Sequence, residues 1–161
     1  MKLFLIKFVF IFAMAAYLTS CSKKNDPPAS VNPNPPTCTM TVNGTTYTLT
    51  ASAQYSSTRG QIPFSAAGGG YVIQFVDKTP GIGTITLSDP NTNSYATVIQ
   101  KANSIEWLTD TVYTGKLTLT TYNTSTRTIS GTILFVANEK TPNASGSTIA
   151  ITNGSFSNVP F

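Results

Sequence analysis

The sequence predicts an all-β protein, built as a single antiparallel β-sandwich of about eight or nine strands. Three observations carry this. Thr recurs between Ile, Val, Leu, Phe and Tyr along most of the chain, the composition of half-buried pleated surface. Turn signals such as Asn43-Gly44, Gly68-Gly69-Gly70 and Asp89-Pro90-Asn91 interrupt it at short intervals. After residue 37, no stretch repeats its apolar residues at a helical period. Short connections make consecutive strands antiparallel neighbours. The alternation fits a closed up-and-down barrel as the alternative.

The chain begins with Lys2 and Lys7, then an apolar run of 11 residues from Phe8 to Leu18. A membrane-spanning helix needs about 20 apolar residues, so residues 1–20 read as a secretory signal peptide. The run closes in Leu18-Thr19-Ser20-Cys21, which resembles the lipobox of bacterial lipoproteins. The resemblance implies cleavage before Cys21, a diacylglycerol on its thiol and acylation of the new amine. One buried methylene contributes about 0.8 kcal/mol and one chain holds only marginally, so several chains on one residue make a lasting anchor. The expected location is the outer membrane, lipid-anchored, with the bilayer as a partner through Cys21.

Residues 22–37 are rich in Pro, Asn, Ser and Lys and nearly free of apolar side chains. Such a segment buries too little surface to offset its ordering entropy, and it is expected to be a spacer. The expected division is a signal over 1–20, the lipidated cysteine and tether over 21–37, and a β-domain over 38–161. The formal net charge of +4 is concentrated at the front, where Lys2, Lys7, Lys23 and Lys24 lie. From Cys38 onward six basic residues face five acidic ones. Without a basic stripe to follow a phosphate backbone, nucleic acid is not an expected partner.

The first element of the domain is a hairpin. Asn43-Gly44 is the strongest two-residue hairpin signal, and closing it pairs Val42 with Thr45, Met40 with Tyr47, and Cys38 with Leu49. Directly opposed residues share a face, so Cys38 points into the core as a small, inert apolar group. Further strands are expected at Tyr71 to Val76, Thr84 to Ser88, Tyr95 to Gln100, Lys116 to Tyr122, Thr128 to Ala137 and Ser147 to Thr152. The longest places Ile129, Gly131, Ile133 and Phe135 on one face. Phe156 is expected to close the core after a bend at Asn153-Gly154. Gly60 to Ala66 is expected at an edge, because Pro63 lacks a ladder donor. Asn103-Ser104-Ile105-Glu106 has capping-box spacing and is expected to begin one helical turn reaching Leu108. Gly68-Gly69-Gly70 is expected to be a flexible loop.

The C-terminal third runs Gly115-Lys-Leu-Thr-Leu-Thr-Thr-Tyr122, then Arg127-Thr-Ile-Ser-Gly-Thr-Ile-Leu-Phe135, and ends Ile149-Ala-Ile-Thr-Asn-Gly-Ser-Phe156. With the lipobox and the Val42-Asn-Gly-Thr-Thr-Tyr47 hairpin, this rhythm resembles the small β-rich lipoproteins abundant in Bacteroidota. The resemblance implies export and a β-rich fold, and brings no catalytic residues. Many of those proteins reach the cell surface through an acidic run after the lipidated cysteine. Ser22-Lys23-Lys24-Asn25-Asp26 departs from that pattern, which leaves the periplasmic and surface faces both open. Asp110-Thr111-Val112 resembles the short O-glycosylation acceptor motif of the same group and makes Thr111 the candidate acceptor.

The chain has no histidine, which removes Ser-His-Asp and Cys-His catalysis and the usual zinc ligands. Glu106 and Asp110 flank Trp107 as the nearest acidic pair with an aromatic between them, and a solvated turn anchoring one Trp in the core accounts for them better than a glycosidase pair. Asp89-Pro-Asn-Thr-Asn93 alternates oxygen ligands as calcium loops do, yet lacks their Gly and terminal Glu, and reads as an Asx turn. No cofactor, metal or catalytic residue is expected. The expected function is a non-catalytic lipoprotein with a binding or scaffolding role in the cell envelope, toward a glycan or an envelope protein. The alternatives are a small-ligand carrier with a barrel cavity, lined by the doubly apolar strand Tyr71 to Val76, and a fimbria-like structural subunit.

Overall fold

The computed structural model describes residues 35–140 and 146–161. Every element in them is a strand: β1 (Thr37–Val42), β2 (Thr45–Thr48), β3 (Thr50–Ala53), β4 (Ile62–Gly68), β5 (Tyr71–Asp77), β6 (Gly83–Leu87), β7 (Tyr95–Gln100), β8 (Ile105–Leu108), β9 (Gly115–Asn123), β10 (Thr128–Glu139) and β11 (Thr148–Pro160). All pair antiparallel within one eleven-stranded sheet. The all-β antiparallel expectation holds, and the two-sheet sandwich gives way to a single sheet that nearly closes as a barrel.

Nine strands run round the axis in the order β2-β1-β11-β10-β8-β7-β5-β4-β3. The two ends of that order, β2 and β3, are successive halves of one stretch interrupted at Leu49. Its first half pairs with β1 and its second with β4. The curvature comes from extra residues in β11. Between Phe135↔Ile151 and Ile133↔Gly154, β11 advances three residues while β10 advances two, and the same happens between Gly131↔Phe156 and Ile129↔Val159. Asn153 and Asn158 take up the extra length at φ 49 and 53, as bulges do when they bend a strand and raise its twist. The bend expected at Asn153-Gly154 is thus a bulge inside a continuous thirteen-residue strand. Alternation alone suits a sandwich and a barrel equally; the single continuous strand order decides between them.

The first hairpin has the predicted register, with Val42 opposite Thr45 and Met40 opposite Tyr47. Cys38, Met40, Val42 and Leu49 are buried. Inside the barrel Phe64 stacks on Phe75 at 4.4 Å, and Phe156 tilts against them at 5.0 and 5.7 Å. Gly131 makes room for the last ring: a Cβ there would meet Phe156 Cζ at 2.9 Å and the Thr118 carbonyl at 2.3 Å.

Four local expectations are corrected. Pro63 lies in a strand paired on both sides, since β4 joins β3 and β5. A residue's N–H and C=O point to the same side of an antiparallel strand, and the Pro63 carbonyl accepts from Gln54 N at 3.0 Å. The missing donor therefore falls beyond the end of β3, and no bond to β5 is lost. Ile105–Leu108 is strand β8 instead of a helical turn, held by β7 and by Asn138 and Glu139 of β10. Thr50–Ala53 is a further strand, which with β8 raises the number to eleven. Gly69-Gly70 is a tight two-residue turn instead of a flexible loop, with φ 57 and 84 and with Gly68 paired to Tyr71, the geometry of a type I′ hairpin.

The sheet forks along β10. Its first part, Thr128–Phe135, pairs with β9, which carries β6 on its other side. Its end pairs with β8. Thr109 sits in the fork, fully buried. Its hydroxyl donates to the Ser88 carbonyl at 2.9 Å and accepts from Ala96 N at 3.0 Å, while its own N–H donates to the Ala96 carbonyl at 3.0 Å.

Candidate functional site

Alternate residues of β3, β4, β5, β7 and β8 face away from the core, and there they line an open cleft of about 540 Å³. The ladder aligns its floor. Ser52 is opposite Ser65, Ser65 opposite Gln74, Gln74 opposite Thr97, and Thr97 opposite Leu108. Side chains far apart in sequence thereby become one polar row across the strands, ending on an apolar residue. Thr97 Oγ1 donates to Gln74 Oε1 at a long 3.4 Å. The neighbouring row is apolar and aromatic, with Pro63 opposite Val76 and Val76 opposite Tyr95.

Tyr95 has a cation beside its ring. Lys78 Nζ lies 5.9 Å from its ring centroid and donates to the Pro90 carbonyl at 2.7 Å. Pro90 in turn belongs to the cleft wall, and its loop is set by Asp89, whose Oδ1 accepts from Asn91 N and Nδ2, each at 2.9 Å. This is the Asx turn expected from the sequence, with the carboxylate engaged by its own loop. At the other end Glu106 and Lys140 line the cleft together, joined by a bond from Lys140 N to the Glu106 carbonyl at 2.8 Å. The lining thus carries one acid and one base.

Of the acidic pair, the glycosylation acceptor and the thiols read from the sequence, Glu106 lines the cleft. Asp110, its expected companion, does not line the cleft: its Oδ1 accepts from Val112 N and Tyr113 N, each at 2.7 Å. Trp107 lies in the core and donates from Nε1 to Ser147 Oγ at 3.2 Å. Thr111 is exposed on the loop that Asp110 caps. Cys38 is buried, and desolvation pushes its thiol up to about 11. Cys21 lies outside the described residues. Beside the cleft, Asp77 turns inward at the end of β5, where burial raises its carboxyl above the usual range and the bond from Thr79 N at 2.9 Å works against that rise. Among the described residues no three His, Cys, Asp or Glu side chains gather to hold a metal.

Sequence reasoning passed over Ser52, Ser65, Gln74, Tyr95 and Thr97 as a group. The signal available was Gln74, an amide in the middle of the otherwise apolar Val72-Ile-Gln-Phe-Val76. A polar side chain there marks a strand whose second face is open.

No curated protein and no solved structure matches the chain. The family model described as a domain of unknown function, DUF6252, matches residues 34–160, which takes in all eleven strands and the whole cleft: the chain belongs to the DUF6252 family.

Proposed function

We propose that this chain is a non-catalytic binding lipoprotein of the cell envelope, anchored to the outer membrane by acyl chains on Cys21 and offering the cleft on β3, β4, β5, β7 and β8 to a glycan or an envelope protein. The observation that carries the binding part is the cleft itself. It is concave, mixed in polarity and built on paired strands, the usual character of a ligand site. The lipobox-like Leu18-Thr19-Ser20-Cys21, the short apolar run before it and the polar stretch after it support the anchor. The resemblance to β-rich lipoproteins of Bacteroidota supports the anchor and makes the exposed Thr111 the candidate for a sugar. The carrier reading is the weaker one, because the rings of Phe64, Phe75 and Phe156 occupy the barrel interior.

Cells fed tritiated palmitate test the anchor. The wild type is expected to be labelled and to sediment with outer membranes, and Cys21→Ala to be unlabelled and released. An unlabelled wild type overturns it. A photo-crosslinking residue at position 54, on the cleft rim, tests the binding surface. Crosslinks there that are absent from the same residue at position 134, outside the cleft, are expected; equal patterns at both positions overturn the reading.

A further inference from the structure

We infer that the cleft receives a neutral, extended polysaccharide chain, laid across the strands along Ser52, Ser65 and Gln74, with the buried Thr97 behind Gln74 and one ring against Tyr95. The inference rests on the reading of the cleft as the binding surface and names its ligand class.

Three features of the site select this ligand. First, β4, β5 and β7 are each paired on both sides, so their backbone groups are used within the sheet. A peptide binding by strand addition draws its affinity from main-chain bonds at an open edge, which these three strands lack; in the floor β3 keeps an unpaired side, away from β4. The central strands offer side chains only, and these are hydroxyls and an amide, which donate and accept as sugar hydroxyls do. Second, the row crosses adjacent strands at about 4.8 Å per step, so Ser52 to Gln74 spans roughly 10 Å. That step is close to the rise of one ring in an extended glycan, so successive rings meet successive polar side chains. Third, the flanking row of Pro63, Val76 and Tyr95 is apolar. A sugar ring presents hydroxyls at its rim and C–H groups on its face, and the two parallel rows match those two surfaces. Lys78 Nζ, held by the Pro90 carbonyl, lies 5.9 Å from the Tyr95 ring centroid, a contact that favours one ring position before any ligand arrives. One acid and one base in the lining select against a polyanion.

The test is affinity electrophoresis of the full chain in detergent, through gels containing mixed-linkage β-glucan, xyloglucan or galactomannan, with polygalacturonate as the anionic comparison. The wild type is expected to be retarded by at least one neutral polymer and not by polygalacturonate. Gln74→Ala and Tyr95→Ala are expected to weaken retardation at least ten-fold, Ser65→Trp to abolish it by filling the row, and Leu134→Ser, outside the cleft, to leave it unchanged. Thermal unfolding followed by circular dichroism checks that each variant is folded; a variant that is not is replaced by Gln74→Glu, which is expected to weaken retardation by placing a charge in the row. No retardation by any neutral polymer overturns the inference, as does retardation that the folded cleft variants retain. Crosslinking at position 54 separates the two failures. Capture of a protein there without retardation removes the glycan and leaves the cleft as a binding surface; no retardation and no cleft-specific crosslink remove both.

Discussion

The amide of Leu49 donates to the carbonyl of Cys38 at 2.8 Å, and at that bond the chain changes partners. Residues before Leu49 pair with β1 and residues after it pair with β4, so this one residue joins the two ends of the sheet. Its side chain is buried with 5 % exposure, and Gly68 at the end of β4 packs directly against it. Leu49→Ala leaves the closure bond in place and empties the space beneath it. The expected loss is about 2–5 kcal/mol, the range for a buried Leu truncated to Ala. Urea unfolding measures it, and a change under 1 kcal/mol would show that closure does not depend on this side chain.

Thr109 gives a second stability prediction. Its hydroxyl links the carbonyl of Ser88 to the amide of Ala96 inside the fork. Thr109→Val keeps the shape and removes the hydroxyl, leaving that carbonyl with one partner fewer in a dry site. A buried group without its partner costs about 1–3 kcal/mol. Thr109→Ser retains the hydroxyl and is expected to lose less. If Val and Ser are equally tolerated, the hydroxyl is not what holds the fork.

Legibility in the sequence followed the range of the interactions. The first hairpin was readable because Asn43-Gly44 fixes both turn and register within twelve residues, and the burial of Cys38 came with it. β8 was not readable, since Asn103-Ser-Ile-Glu106 carries a helix-start spacing, and only pairing to Val98 and to Glu139 makes Trp107 a strand residue. Pro63 misled because its cost depends on which side its missing donor faces. The cleft was the least legible part. Ser52, Ser65, Gln74 and Thr97 are ordinary outward residues in their own strands, and only the ladder makes them neighbours. The same holds for the curvature, to which the bulges at Asn153 and Asn158 contribute.

The buried thiol of Cys38 makes a pH prediction. Its ordinary value of 9.0 rises to about 11 through desolvation, so the unfolded chain releases this proton before the folded one. Stability from this group is complete below pH 9 and falls as pH rises through 9 toward 11. Other groups titrate in the same window, so the quantity to follow is the difference between the wild type and Cys38→Ala. That difference in urea midpoint is expected to shrink from pH 8 to pH 10.5. At pH 8 the folded thiol is also expected to resist alkylation by iodoacetamide, since the thiolate is the nucleophile, and to react once unfolded. Ready alkylation of the folded chain would place Cys38 in a different environment.

Asp77 follows the same rule at lower pH. It is 1 % exposed and faces the core at the end of β5, with Thr79 N donating to its Oδ1. Burial is the larger influence and raises its pKa; the backbone bond lowers it. A carboxyl whose folded value is raised contributes stability that is fully present below its unfolded value and is lost as pH rises through the folded one. Above its unfolded value this group therefore works against the fold, because burial penalises the charged form that the unfolded chain adopts freely. Asp77→Asn keeps an oxygen for the Thr79 amide and removes the charge. Its melting temperature at pH 7 is expected to exceed the wild type's, with the gap closing as pH falls toward the ordinary carboxylate range. A variant less stable than the wild type at pH 7 would mean that the negative charge itself is required there, and that the bond to Thr79 outweighs desolvation.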